Sequence, residues 1–248
     1  MTIPTRQNWI RRYHPAPDAQ HRLVCLAHAG GSASFFFPIS RVLSPEVEVL
    51  AVQYPGRQDR RDEPFVDTIQ ETADHIDAAL ATGTDGPLTI FGHSMGAILA
   101  FEVARRLERR NAVVTGLLVS GRAAPHYGYA TRHHLSSDSE LIAHLRALDG
   151  TAGNLFDDDE VVQMVLPAIR ADYRAAETYR HADGPTLSCP IHVLTGDADP
   201  QVSPEAAAAW RAYTSGGFDM AVFPGGHFYL NNHGPEMIGI IRRLLGLR

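Results

Sequence analysis

The chain has 248 residues, long enough for one large domain, and its 44% hydrophobic and 20% charged content is that of an ordinary globular protein. Lys and Arg number 22 against 28 Asp and Glu, a net charge of −6, which argues against a nucleic-acid partner. The two cysteines, Cys25 and Cys189, are too few and too far apart for a disulfide framework or a zinc site, and each reads as a buried free thiol suited to a reducing cytoplasm.

Residues 1–18 carry charge and proline but no apolar stretch of the kind a secretory signal needs. No apolar run reaches the roughly 18 residues that span a bilayer. A soluble, cytoplasmic monomer with no membrane partner is therefore expected, with residues 1–248 forming a single domain. Residues 23–28 (LVCLAH) read as a buried strand, followed by a Gly-rich turn and a helix start at 34–43. A second strand spans 47–54 and an amphipathic helix 68–81; a third strand at 88–93 (LTIFGH) leads into a helix at 95–109. The arginine pairs at 105–106 and 109–110 read as the solvated end of that helix. Further strands are expected at 117–120, 191–195 and 220–223, the last two followed by helices at about 204–213 and 235–245. Strands alternating with helices imply an α/β fold, a mainly parallel sheet with helices on both faces.

One stretch breaks this alternation. From about residue 125 to 184 the pattern is helical with no strand. Ser137 and Glu140 fit a capping box ahead of an apolar stripe at Leu141, Leu145 and Leu148. The acid run at 157–160 opens another helix, where carboxylates are favoured by the helix dipole, and Pro167 is expected to kink or restart it. An insertion after a strand's carboxyl end lies over the edge of the sheet where ligands bind, so this segment reads as a lid.

The chemistry centres on Gly92-His93-Ser94-Met95-Gly96, a G-x-S-x-G elbow set between a strand and a helix. Small residues on both sides let strand and helix approach closely, and the tight turn lifts Ser94 out of the sheet at the positive end of the helix. This points to a serine nucleophile on an α/β-hydrolase scaffold. Its partners should follow in the order acid, then histidine, on loops after later strands. His227, after the last strand and two glycines, is the expected general base, with His233 as the fallback. Asp197 and Asp199 share the loop after residues 191–195, and either could reach the histidine; with Ser203 and Pro204 starting the next helix, Asp199 lies further from the sheet. Two backbone N–H groups should receive the oxyanion: that of Met95, and that of Ala29, or Gly30, in the loop after the first strand. The Gly-rich loop lacks both G-x-G-x-x-G and a P-loop lysine, so phosphate binding there is a weak reading.

Five blocks in order, HAGGSASFF at 28–36, QYPGRQDR at 53–60, GHSMGA at 92–97, GDADP at 196–200 and GGHFYL at 225–230, resemble the type II thioesterases, the free-standing editing enzymes of polyketide and nonribosomal peptide synthetases. ADYRAAETYR at 171–180 resembles the end of that family's lid. The resemblance spans nearly the whole chain. It implies an α/β-hydrolase fold and hydrolysis of acyl groups from the phosphopantetheine arm of carrier-protein partners. It also implies that no cofactor of the protein's own is needed, and that Asp199 rather than Asp197 is the triad acid. The aromatic run Phe35, Phe36 and Phe37 would either pack a helix or line the acyl slot.

Overall fold

The computed structural model describes residues 6–81, 86–129, 131–148 and 157–247; residues 130 and 149–156 of the expected lid lie outside them. Seven strands form one sheet: β1 (Ile10–Arg11), β2 (His21–Leu26), β3 (Val47–Val52), β4 (Leu88–His93), β5 (Val114–Ser120), β6 (Ile191–Gly196) and β7 (Phe218–Phe223). Their order is β1-β3-β2-β4-β5-β6-β7, and every pairing is parallel except that of β1 with β3. From β2 the chain steps to β3 on one side, then crosses back to β4 on the other. That reversal opens a crevice beyond the carboxyl ends of β2 and β4.

All six positions of β3 and of β4 are buried, which is why both read as apolar runs without alternation. The exception in β3 is Glu48, whose carboxylate meets Arg12 at 3.2 Å and Arg22 at 3.7 Å. β1 has no counterpart among the sequence expectations. It is two residues long in an Arg-rich segment, and it exists because Ile10 and Arg11 pair with Val52 and Ala51 while Trp9 is buried.

The helices are α1 (Phe37–Leu43), α2 (Ile69–Leu80), α3 (Met95–Arg109), α4 (Asp138–Ala147), α5 (Asp159–Thr178), α6 (Pro204–Ala208) and α7 (Gly234–Leu244). α3 packs across β2, β4 and β5 with α2 beside it, while α1 packs on β3 and touches α7. Residues 95–104 are all buried, making α3 the central pillar. Local chemistry sets the helix starts. Thr68 and Ser203 accept N–H bonds as caps, Ser137 and Glu140 form the full capping box, and Asp158 accepts from Glu160 and Val161. The segment expected as one helix at 204–213 is α6 followed by a 3-10 turn over Ala209–Tyr213.

Two expectations need correction. α5 runs unbroken through Pro167, so the helix does not restart there. The proline removes one backbone donor, a cost offset by burying Leu166, Ala168 and Ile169 around it. The arginines at the end of α3 are also not simply solvated. Glu102, 6% exposed, accepts from Arg105 at 3.1 Å, from Arg106 at 2.6 Å and from the Tyr179 hydroxyl at 2.9 Å, tying α3 to the end of α5. Packing of α2 on α3 then brings Asp74 to Arg106 and Asp77 to Arg110. No helix among the described residues is long and apolar enough to cross a membrane.

Removing Glu102 leaves the largely covered Arg105 guanidinium without its carboxylate and Arg106 with Asp74 alone, so Glu102→Leu should lower the unfolding free energy by about 3 kcal/mol. Urea denaturation measures this; a loss below about 1 kcal/mol would contradict the account of how α3 is joined to α5.

Candidate active site

β4 ends at His93 and α3 begins at Met95, leaving Ser94 to make the turn alone, at φ 57° and ψ −117°. A side chain at this φ is strained, and the strain is held by close packing on both sides. A Cβ on Gly92 would overlap the Gly96 carbonyl, and one on Gly96 would overlap the carbonyls of Leu26 and Ala27. Ser94 N–H is fixed by the Ser120 carbonyl at 2.8 Å. The serine is 7% exposed and stands at the N-terminus of α3, where the first backbone N–H groups have no intrahelical acceptor.

The loops after β6 and β7 deliver the other residues. His227 Nε2 lies 2.9 Å from Ser94 Oγ, and its Nδ1 lies 2.8 Å from Asp199 Oδ2. The other oxygen of Asp199 accepts the Gln201 N–H at 2.8 Å, so the carboxylate is held at both ends. The side chains of His227 and Asp199 are 2% and 0% exposed, so little water competes for these bonds. Asp197 is exposed and turns elsewhere: its Oδ1 accepts the Gly225 N–H at 2.9 Å and ties the two loops together. Gly196 is required at this junction, since a Cβ there would overlap the carbonyls of Gly225 and Gly226. His233 bonds the Pro224 carbonyl at 3.0 Å and does not join the group at Ser94.

A second Ser–His contact lies nearby. His93 Nδ1 is 2.9 Å from Ser120 Oγ, which also lies 2.6 Å from the Tyr229 hydroxyl. Both residues are fully buried, and His93 Nε2 has no partner among the described residues. No carboxylate pairs with the His93 ring among the described residues, and the contact joins the ends of β4 and β5. Burial, reinforced by His227, drives the His93 pKa well below the usual histidine value, and the same causes with Arg57 bring His28 to about 3. Both rings are therefore neutral at neutral pH. His28 packs edge-on against Phe35 and Phe228. Of the aromatic run, Phe36 is core, Phe35 is partly buried beside His28, and Phe37 is 44% exposed.

The loop after β2 faces Ser94 across the crevice. Gly31 N–H donates to the His28 carbonyl and Gly30 N–H to Asp172 Oδ2 at 2.7 Å, while the N–H of Ala29 has no acceptor among the described residues. Gly30 is thus committed, whereas the N–H groups of Ala29 and of Met95, the residue after Ser94, have no acceptor among the described residues. Asp172, on α5, also receives Arg57 in a two-pronged ion pair at 2.6 and 2.9 Å, and Arg57 donates to the Gly31 carbonyl at 3.1 Å. Both side chains are about one-tenth exposed. This latch between α5 and the loop is absent from the sequence expectations, although its members stand in QYPGRQDR and ADYRAAETYR. Two charged residues placed in separate distinctive blocks were the available signal.

The chain is similar to known thioesterases in sequence and fold. The family model described as thioesterase domain matches residues 21–245. The chain is 50% identical over 231 residues to thioesterase PikA5 of Streptomyces venezuelae, covering 92% of this chain and 82% of that one. Its fold superposes on the type II thioesterase BorB from the borrelidin biosynthetic cluster with a TM-score of 0.91 at 52% identity, covering 99% and 100% of the two chains. The RedJ thioesterase from the prodiginine pathway of Streptomyces coelicolor gives a TM-score of 0.87 at 37% identity over 93% and 95%.

Arg57→Met and Asp172→Leu should each strand a buried charge and lower the unfolding free energy by about 3–5 kcal/mol. The double replacement should lose clearly less than the sum of the two, as seen in urea unfolding of all four proteins. Additive losses would show that the two residues do not act as a pair.

Proposed function

The chain belongs to the thioesterase domain family, serine hydrolases of the α/β-hydrolase fold, and from that premise we propose that it hydrolyses acyl thioesters on the phosphopantetheine arm of carrier proteins, clearing stalled or aberrant acyl groups from a polyketide or nonribosomal peptide synthetase. The observation that carries this reading is the continuous line Asp199–His227–Ser94, with bonds of 2.8 and 2.9 Å, ending beside two free backbone donors.

In this mechanism His227 Nε2 accepts the Ser94 proton as Oγ attacks the thioester carbonyl. Asp199 keeps the proton of the neutral ring on Nδ1 and stabilises the imidazolium that forms. The oxyanion is received by the N–H groups of Ala29 and Met95; losing one such donor typically costs about 3 kcal/mol of transition-state stabilisation. Collapse breaks the C–S bond and His227 returns the proton to the departing pantetheine thiolate, leaving an acyl ester on Ser94. Water, deprotonated by His227, attacks that ester through the same oxyanion site; the second collapse breaks the bond between the acyl carbon and Ser94 Oγ, and His227 returns the proton to Oγ. The products are a carboxylic acid, a free thiol and regenerated Ser94.

Residues of about 125–184, including α4 and α5, act as the lid of a single-domain enzyme. Support comes from α5 carrying Asp172 to the oxyanion loop and from a cavity of about 670 Å³ between the lid helices and the loops after β5 and β6. The chain's relationship to thioesterases of biosynthetic clusters supports carrier-protein domains as partners.

Ser94→Ala and His227→Ala should each lower kcat/KM on an acyl-pantetheine by about ten-thousand-fold or more with the fold intact by circular dichroism. Asp199→Asn should lose about as much, and Asp197→Asn far less. The reverse order of the two aspartates would reassign the acid, and equal or faster turnover of matched oxygen esters would count against the thioester substrate.

A further inference from the structure

The cavity beside Asp199 contains a charge that the mechanism above does not use. Arg122 follows β5, lines the cavity and is 5% exposed. Its carbonyl accepts the Trp210 indole N–H at 2.8 Å, which anchors the backbone. Its guanidinium lies over the Tyr129 ring at 3.6 Å, a cation–π contact, and one nitrogen donates to the Gly128 carbonyl at a long 3.4 Å. Its Nε has no acceptor, and no carboxylate pairs with it, among the described residues. Glu177, an acid on the same side of α5, is already committed to Thr131, His134 and the backbone N–H of His133. Burial accordingly pulls the Arg122 pKa down from its ordinary value.

A buried cation with unused donors is costly to hold unless something compensates it. Tyr129 meets part of that cost. The planar fork of the guanidinium, with its remaining N–H groups at a cavity wall, matches the geometry of a carboxylate or phosphate. Two backbone bonds link the wall of this cavity to the residues around Ser94. Ser94 N–H is bonded to Ser120, two residues before Arg122, and Gln201 lines the cavity while donating its N–H to Asp199. A volume of about 670 Å³ accommodates a small acyl group together with part of its arm.

We propose that Arg122 forms an oxyanion-binding subsite in this cavity, so that the enzyme selects substrates whose bound portion carries a carboxylate or phosphate. This rests on the reading of Ser94 as the acyl-accepting serine. Two parts of a substrate could supply the group: a carboxylate at the far end of the acyl chain, or the phosphate of the pantetheine arm.

The test compares kcat/KM for pentanoyl-pantetheine, glutaryl-pantetheine and pentanoyl-4′-phosphopantetheine, in the wild type, Arg122→Met and Arg122→Lys. The wild type should prefer at least one oxyanion-bearing substrate over pentanoyl-pantetheine by about tenfold, the size expected for a charge-assisted pair. Which of the two is preferred tells the acyl carboxylate from the phosphate. Arg122→Met should bring that ratio to about one, and Arg122→Lys, with the charge but not the fork, should keep part of it. Turnover of pentanoyl-pantetheine by the wild type with no gain from either oxyanion overturns the subsite and leaves the hydrolase reading intact. A preference that survives in Arg122→Met overturns it equally. Absence of turnover on all three, with no fluorophosphonate labelling of Ser94, would overturn the hydrolase reading and the subsite with it.

Discussion

Contact between the start of α3 and the ends of β2 and β4 is the constraint on which the rest of the structure depends. Gly92 and Gly96 allow it, because a methyl group at either position would overlap backbone atoms. Backbone packed this closely cannot relax, so Ser94 is held at a positive φ with its hydroxyl above the sheet. The same contact sets the start of α3 against the Leu26 and Ala27 carbonyls at the end of β2, next to the loop in which the proposed donor Ala29 lies. Glycine at these sites therefore supplies position, and the burial of residues 95–104 makes that position stiff.

The loop opposite Ser94 is steadied from outside the sheet. Asp172 reaches from α5 to the Gly30 N–H and to Arg57, which in turn holds the Gly31 carbonyl. The loop after β2 and α5 are thus joined in one bonded unit. In the proposed mechanism, a movement of α5 would therefore be felt in the loop that carries Ala29. Asp197 and Gly225 join the loops that carry Asp199 and His227, so these two residues keep a common frame.

The readable part of this architecture is local. Glycine spacing at the elbow, unbroken apolar runs in β3 and β4, and the Ser137–Glu140 capping box each leave a mark within a few residues. What was not readable depends on distant parts of the chain. Arg57 and Asp172 are 115 positions apart, and nothing near either one announces the other. β1 exists only as a partner for the end of β3. Pro167 looked like an interruption because its lost hydrogen bond is visible in sequence, whereas the packing that offsets it is not. Asp197 and Asp199 share one loop, where the start of the next helix favours Asp199 and the resemblance chooses it, and the 2.8 Å contact is between Asp199 and a histidine 28 residues on.

The account stands on an acyl group passing through Ser94. Intact-protein mass spectrometry after brief exposure to an acyl-pantetheine, followed by peptide mapping, tests this directly. The predicted result is a mass increase equal to the acyl group on the peptide containing Ser94, transient in the wild type and missing in Ser94→Ala. An acyl group found instead on Cys25, Cys189 or Ser120, or product formed with no Ser94 adduct at any quench time, would contradict it.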